Sequence, residues 1–258
     1  MLDQQNSKSA GKQPLWGIVG GMGPLASNEF LNNIYQLSLG RAEQNMPRVI
    51  LVSDPSVPDR TTAIKAGRIQ EVARPLQGLI VRLAQMEVDH IVIACVTAHF
   101  FLPYLELASS IRERMISLIS VVCESLRHDQ RKYLLLRTSG TRDARIFEDH
   151  PGWDEVSSQV CVLDDKDQET VHDEYLYQLK KRAVSAADLR ILSQLKEKYQ
   201  VDGFIAGCTE VHLHTRDLLA NGIRMIDPLY VLAQRIAQPI CAADFADGRE
   251  IRPGTIKV

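Results

Sequence analysis

Two segments carry the same spacing of reactive side chains. Asp89 is followed by Cys95 six residues later and by His99 four after that. Asp202, Cys208 and His212 repeat the pattern. In each, an apolar run joins the Asp to the Cys and a threonine follows, Thr97 or Thr209. Such a run reads as a buried parallel strand that ends at the thiol. In open parallel sheets, ligand sites lie beyond the carboxyl ends of the strands. Two such strands imply two half-molecules that each lend one thiol to a shared site. A thiol pair on opposite sides of one carbon suits cofactor-free proton chemistry. One sulfur, as thiolate, removes a Cα proton, and the other returns a proton to the opposite face, which inverts the centre. A thiol suits this work because its ordinary pKa of about 8.5 is moved towards neutrality by nearby dipoles or cations.

Other readings of the same residues compete. A free Cys is commonly a small buried hydrophobe, and Cys123 and Cys161 are read that way. Cys95, His99, Cys208 and His212 could form a Cys2His2 metal set, but the tight C-x2–4-C knuckle of structural zinc is absent. The histidines are therefore read as structural or as residues at the site rim, and no metal is expected. No G-x-S-x-G elbow points to a serine hydrolase.

The elements that must position these thiols follow from pattern. LWGIV reads as a first strand, GGMG as a turn, and a helix opens near Pro24 with Phe30, Leu31, Ile34 and Leu37 on its buried face. Gly20, Gly21 and Gly23 allow close backbone approach to an anion at that helix start. Gly21, Gly23 and Ala26 fit only a loose dinucleotide fingerprint, and the turn is read as anion-binding. Arg48–Ser53 is a second strand. It leads to Arg60, which is either a carboxylate clamp or a surface partner of Asp54 or Asp59. A helix spans Glu71–Met86, with Pro75 either starting or kinking it. Asp89–Ala94 is the third strand and Ile116–Val122 a fourth, with Cys123 behind it. Lys132–Leu136 begins a second unit, and its turn Thr138, Ser139, Gly140, Thr141 offers hydroxyls and N–H groups to an anion. Val160–Leu163 is a short strand, and Asp167 or Thr170 caps the next helix, which ends in Lys180, Lys181 and Arg182 as the dipole favours. Helix Ala186–Tyr199, strand Gly203–Gly207, strand Ile223–Ile226 and a final helix from Ile226 complete the chain.

The order implies an α/β protein of two pseudo-symmetric doubly wound parallel-sheet domains with the site in the cleft between them. The expected domains are 14–115 with 226–250, and 116–225, with tails at 1–13 and 251–258. The 258 residues suit two domains, and 30 basic against 32 acidic residues leave a net charge of −2. No basic tract suggests nucleic acid and none suggests a membrane surface. No apolar run reaches the roughly 18 residues of a membrane span. The polar first residues lack a secretory h-region, and five scattered cysteines fit a reducing cytoplasm.

Six blocks, in order, resemble the aspartate/glutamate racemase family: GIVGGMGPLAS, DPSVPDRTTAI, IACVTAH, LLRTSGT, GFIAGCTEVHL and MIDPLYVLA. They span about Trp16 to Ala242. The resemblance implies a PLP-independent racemase of aspartate or glutamate that needs no cofactor and forms a homodimer. It implies Cys95 and Cys208 as the catalytic pair, Arg60 as the contact to the distal carboxylate and Lys180 as a second cationic contact. Met22, Gly23, Thr97, Ser139, Gly140, Thr141 and Thr209 match positions around the α-carboxylate and amino group, and Glu210 matches an acidic residue after the second Cys-Thr. Two positions depart from the family pattern. Val96 stands where Asn is usual, which removes a polar contact. Arg137 stands where a small residue is usual, and it could add a carboxylate contact, alter the substrate size or point away into an ion pair. Related reactions on the same scaffold are hydantoin racemisation, maleate isomerisation and arylmalonate decarboxylation. A non-catalytic amino-acid-binding protein is a further alternative.

Overall fold

The computed structural model describes residues 13–181 and 185–238. Arg182, Cys241, the end of the expected last helix, residues 1–12 of the first expected tail and the whole of the second lie outside them.

The first half runs β1 (Leu15–Gly20), α1 (Pro24–Gln36), β2 (Arg48–Ser53), α2 (Arg60–Lys65), α3 (Ile69–Gln85), β3 (His90–Ile93), α4 (Ser109–Arg112), β4 (Met115–Ile116) and α5 (Leu118–Arg127). The second runs β5 (Tyr133–Leu136), α6 (Ser139–Asp143), β6 (Val160–Cys161), α7 (Asp165–Thr170), α8 (Tyr177–Leu179), α9 (Ala186–Tyr199), β7 (Gly203–Ala206), α10 (His212–Ala220), β8 (Arg224–Ile226) and α11 (Pro228–Ala237). Each half forms a four-stranded parallel sheet, ordered β2-β1-β3-β4 and β6-β5-β7-β8. The same order in both is the expected pseudo-symmetric α/β architecture.

The repeated aspartates explain themselves here. Asp89 accepts from the Leu15 N–H at 2.7 Å and donates its own N–H to the Leu15 carbonyl. Asp202 does the same to Lys132, at 2.9 Å and 2.8 Å. Each fastens the entry of a third strand to the start of a first strand, which fixes where the thiol emerges.

Burial follows the layers. One core lies between the halves and gathers Trp16, Ile18, Phe30 and Ile34 with Val121, Val122, Tyr133, Leu135, Leu229 and Leu232. Helix α3 covers the outer face of the first sheet with Val72, Leu76, Leu79, Ile80 and Leu83. Each such side chain contributes about 1.5–3 kcal/mol by leaving water. Tyr175, Leu176, Leu179 and Leu192 do the same for the second sheet. Helix α11, the last described element, packs on α1 and α5 of the first half.

Several local expectations change. The run expected as strand Ile116–Val122 gives only β4 before turning helical. Ser117 caps α5 by accepting from Ser120 N, and Leu118, Ile119, Val122 and Leu126 then fill one buried face. A short apolar run is ambiguous between strand and buried helix, and the cap decides it here. Cys123 packs within that face, and burial raises its thiol to about 11. Pro75 lies inside α3 rather than at its start. Helix α7 is capped by Asp164, not by Asp167 or Thr170, and continues through one π-helical segment, Val171–Leu176. In α1 the buried stripe is Ala26, Ser27, Phe30, Asn33 and Ile34. Leu37 is the helix C-cap and is exposed, and Leu31 is half-buried. No described helix is long and apolar enough to cross a membrane.

Candidate active site

Cys95 follows β3 and Cys208 follows β7, the third strand of each half in chain order. Both thiols line one cleft together with Met22, Arg60, Thr97, Lys180, Thr209 and Glu210. Gly23, Ser139, Gly140 and Thr141 stand one layer back. A Cβ on Gly23 would come 2.7 Å from Glu210 Oε1, and one on Gly140 would come 2.8 Å from Thr61 Cα. Ser139 N–H is taken by His172 Nδ1 and Thr141 N–H by Thr138 Oγ1, so these two donors of the turn serve the fold.

Three hydroxyls close the floor across the halves. Thr97 Oγ1 is 2.9 Å from Thr141 Oγ1 and 3.3 Å from Thr138 Oγ1, which are themselves 3.0 Å apart. Thr138 also lines the cleft, as do Asp59, Thr61 and Val96. Asp59 and Thr61 carried no sequence signal beyond flanking Arg60.

Arg60 forms neither surface pair expected for it. Its guanidinium donates to the carbonyls of Val57, Pro58 and Met22 at 3.0–3.2 Å, while its buried Nε is without a partner. Burial opposes its charge, but Cys95, Asp59 and Glu210 around it raise its pKa, and it stays a cation. Lys180 is likewise held charged: burial works against it, and Glu210 and Cys208 outweigh that. Lys180 Nζ is 3.6 Å from Asp59 Oδ2 and sits over the Tyr177 ring, whose hydroxyl donates to Asp59 at 2.8 Å. Asp59 also caps α2. Its carboxyl is held down to about 2, because the Thr62 N–H, Tyr177 and Lys180 overcome burial.

The thiols differ in surroundings. Cys95 lies against the Arg60 guanidinium. Cys208 donates its S–H to Glu210 Oε2 at 2.8 Å. Burial and the Glu210 charge push the Cys208 thiol well above its ordinary range, and Lys180 offsets part of this. Glu210 Oε1 is buried without a hydrogen-bond partner.

The two histidines do matching structural work. His99 Nδ1 donates to the Cys95 carbonyl at 3.0 Å, and Nε2 accepts from Leu118 N, at the start of α5. His212 Nδ1 bonds to Asp227, the N-cap of α11, and Nε2 lies 3.0 Å from Asn33 Nδ2. Each histidine therefore ties the segment after the thiol to the helix that follows the fourth strand of its sheet. With both nitrogens of each ring engaged, the Cys2His2 reading has no imidazole to offer a metal. Among the described residues, no group of three His, Cys, Asp or Glu side chains is gathered for one.

His99 has a pH signature. Burial lowers its pKa to about 4, against about 6.5 in an unfolded chain. The neutral ring stabilises the fold above about pH 6.5, and this contribution is lost as pH falls through about 4. A shift of that size corresponds to about 3 kcal/mol. Urea unfolding at pH 7 and pH 4.5 is expected to give a smaller stability loss for His99→Gln than for the wild type. Equal losses would remove His99 as the cause.

Arg137 points away from the cleft. It pairs with Glu148 at 2.6 Å, and its carbonyl accepts from Gln168. Val96 keeps an apolar side chain at the cleft wall and packs into the shared core.

Two parallel α/β halves of one topology, each closing a common cleft with a thiol after its third strand, define a two-domain architecture built for chemistry on a small ligand. The chain belongs to the Asp/Glu/hydantoin racemase family, which it matches over residues 19–236, and it is an isomerase-type enzyme of that superfamily. A protein of Pectobacterium carotovorum subsp. carotovorum, described as an uncharacterized protein in the pnlA 3' region, is 33% identical over 112 residues, covering 42% of this chain and 72% of that one. The fold is similar to that of the Picrophilus torridus aspartate racemase, with a TM-score of 0.72 and 22% identity over 86% of this chain and 92% of that one. It is also similar to an aspartate racemase homologue from Pyrococcus horikoshii OT3, with a TM-score of 0.61 and 19% identity over 87% and 97%.

Proposed function

We propose that the protein is a cofactor-independent racemase of an acidic amino acid, aspartate or glutamate. In this reading Cys95 and Cys208 exchange the Cα proton on opposite faces, one as thiolate and the other as thiol. The observation that carries it is the polarity of the cleft. Beside the thiol pair stand an unpartnered buried donor, Arg60 Nε, and an unpartnered buried acceptor, Glu210 Oε1. Leaving such groups unpaired is costly, and a ligand that pairs both recovers that cost. A zwitterion with an extra carboxylate does so: an anionic end on Arg60 and Lys180, and an ammonium on Glu210. Negative charge that develops at Cα is then stabilised by fixed cations and hydroxyls rather than by mobile water. Membership of the family supports the reaction type.

Val96 favours a second reading. It replaces a polar family contact with an apolar wall, which suits an acid without an α-amino group or a hydantoin-like ring. The test is proton NMR of L- and D-aspartate and L- and D-glutamate with the purified protein in D2O, without added PLP. Loss of the Cα–H signal with appearance of the other enantiomer is the expected result. No exchange on any of the four, with turnover of maleate, an arylmalonate or a hydantoin, would establish the second reading instead. Ligand-induced thermal stabilisation without any exchange or turnover would mark a binding protein.

A further inference from the structure

Lys180 reaches the cleft from the second half as the C-cap of α8. Its Nζ lies 4.0 Å from the centre of the Tyr177 ring and 3.6 Å from Asp59 Oδ2. The first is a cation–π distance. The second is an ion pair too long for a hydrogen bond. The other donors on Asp59 account for that length. Oδ1 accepts from Thr62 N–H at 2.9 Å and from the Thr62 hydroxyl at 3.0 Å. Oδ2 accepts from the Tyr177 hydroxyl at 2.8 Å. Burial raises the Tyr177 phenol to about 12, so it stays protonated and donates. Asp59 and Lys180 line the cleft, whereas Tyr177 is outside that lining.

The Tyr177 ring is itself held. It lies 4.4 Å from the ring of His172, five residues earlier, and His172 Nδ1 accepts from Ser139 N–H. In an α-helix, side chains three or four apart face each other, and side chains five apart do not. The π-helical segment Val171–Leu176 closes i→i+5 bonds, and its wider turn brings these two rings together. Without that segment the phenol would not be aimed at Asp59.

The geometry points to Tyr177 as the positioning residue for Lys180. Its ring carries the ammonium, and its hydroxyl occupies Asp59 Oδ2, so Asp59 draws Lys180 to the cleft without capturing it. This role rests on the reading of Lys180 as a contact for an anionic end of the ligand. An incoming carboxylate meets an ammonium that is already in place and not hydrogen-bonded to Asp59. If the hydroxyl is removed, Oδ2 loses its hydrogen bond and Lys180 closes onto it, at the expense of the ligand.

The test compares wild type, Tyr177→Phe, Asp59→Asn and the double variant as full-length chains. Phe keeps the ring, and Asn caps a helix about as well as Asp, so the packing and the α2 cap remain. Succinate binding is read by isothermal titration calorimetry. KM and kcat are read on whichever of L- or D-aspartate and L- or D-glutamate is inverted. Tyr177→Phe is expected to weaken succinate binding about 10-fold or more, the scale of one hydrogen bond to a charged group. KM is expected to rise by a similar factor with a smaller change in kcat, as for a contact made in both the bound and transition states. The double variant is expected to bind succinate more tightly than Tyr177→Phe, because no carboxylate remains to capture Lys180. A hydroxyl that only supports the fold gives no such recovery. Binding by Tyr177→Phe within about twofold of wild type would overturn the inference. So would a double variant that binds no better than Tyr177→Phe, or a wild type that does not bind succinate. The expected order of succinate affinities in a protein that inverts none of the four amino acids supports the inference and ends the racemase reading alone.

Discussion

Cys95→Ser and Cys208→Ser are each expected to lower Cα inversion of the active substrate by about 10³-fold or more. Serine keeps the size and the hydrogen bond but lacks an accessible anion, so neither the proton abstraction nor its reverse has a base on that side. The two thiols act in one event. The double variant should therefore be little worse than either single one, as is usual for residues that work as a unit. Chiral chromatography of product over time measures inversion, and solvent deuterium uptake from each enantiomer separates the two faces. A single variant that keeps inversion within tenfold of wild type would end the two-base reading. Folding is not expected to suffer, because among the described residues neither thiol fastens an element: Cys95 contributes its carbonyl to His99 and Cys208 bonds to Glu210 through its sulfur.

Asp227→Ala is the substitution expected to cost the fold most, about 3–5 kcal/mol, the scale for removing one partner from a buried charged network. Asp227 is 1% exposed. Its carboxylate receives His212 Nδ1, Thr215 Oγ1 at 2.6 Å and the N–H groups of Leu229 and Tyr230 at 2.9 and 3.3 Å. Removal leaves the buried His212 Nδ1, a hydroxyl and two helix-start donors without partners. It also loosens α11 and its packing on α1. Burial opposes the Asp227 charge, but His212, Thr215 and the backbone donors lower its pKa. The network therefore stabilises the protein above the ordinary carboxylate range and loses that contribution in stronger acid. Denaturant midpoints at pH 7 measure the loss, and Asp227→Asn should retain part of it by keeping the helix cap. A loss under 1 kcal/mol for Asp227→Ala would show that solvent readily replaces the carboxylate.

Much of this was legible in the chain. β1, β3, β5 and β7 announce themselves as apolar runs that end in glycine-, cysteine- or threonine-bearing turns, β2 as one that ends in a proline-bearing turn, and the repeated Asp–Cys–His spacing gave away the two halves. The spacing did not tell what the aspartates and histidines do, because their partners, Leu15 and Lys132 or Leu118 and Asp227, are distant in sequence. The strand expected after Met115 failed for a local reason: VVC has the look of a strand, and only the Ser117 cap makes it a helix. Asp59 lines the cleft because Tyr177 and Lys180 arrive there from the other half, and no pattern around Asp59 encodes that arrival. Arg137 could not be aimed from sequence either. Its direction is set by Glu148, eleven residues on and brought back by the short α6 turn.

Two of the contacts by which the halves meet around the cleft differ in electrical character. The threonine ring on the floor carries no net charge, so dissolved ions leave it alone. The Lys180–Asp59 pair in the cleft lining is partly open to solvent, and mobile ions screen such pairs over about 8 Å at physiological ionic strength. Added salt therefore slackens the ion pair while the threonine ring holds, and the ease with which a charged ligand enters is tied to the ionic strength around it.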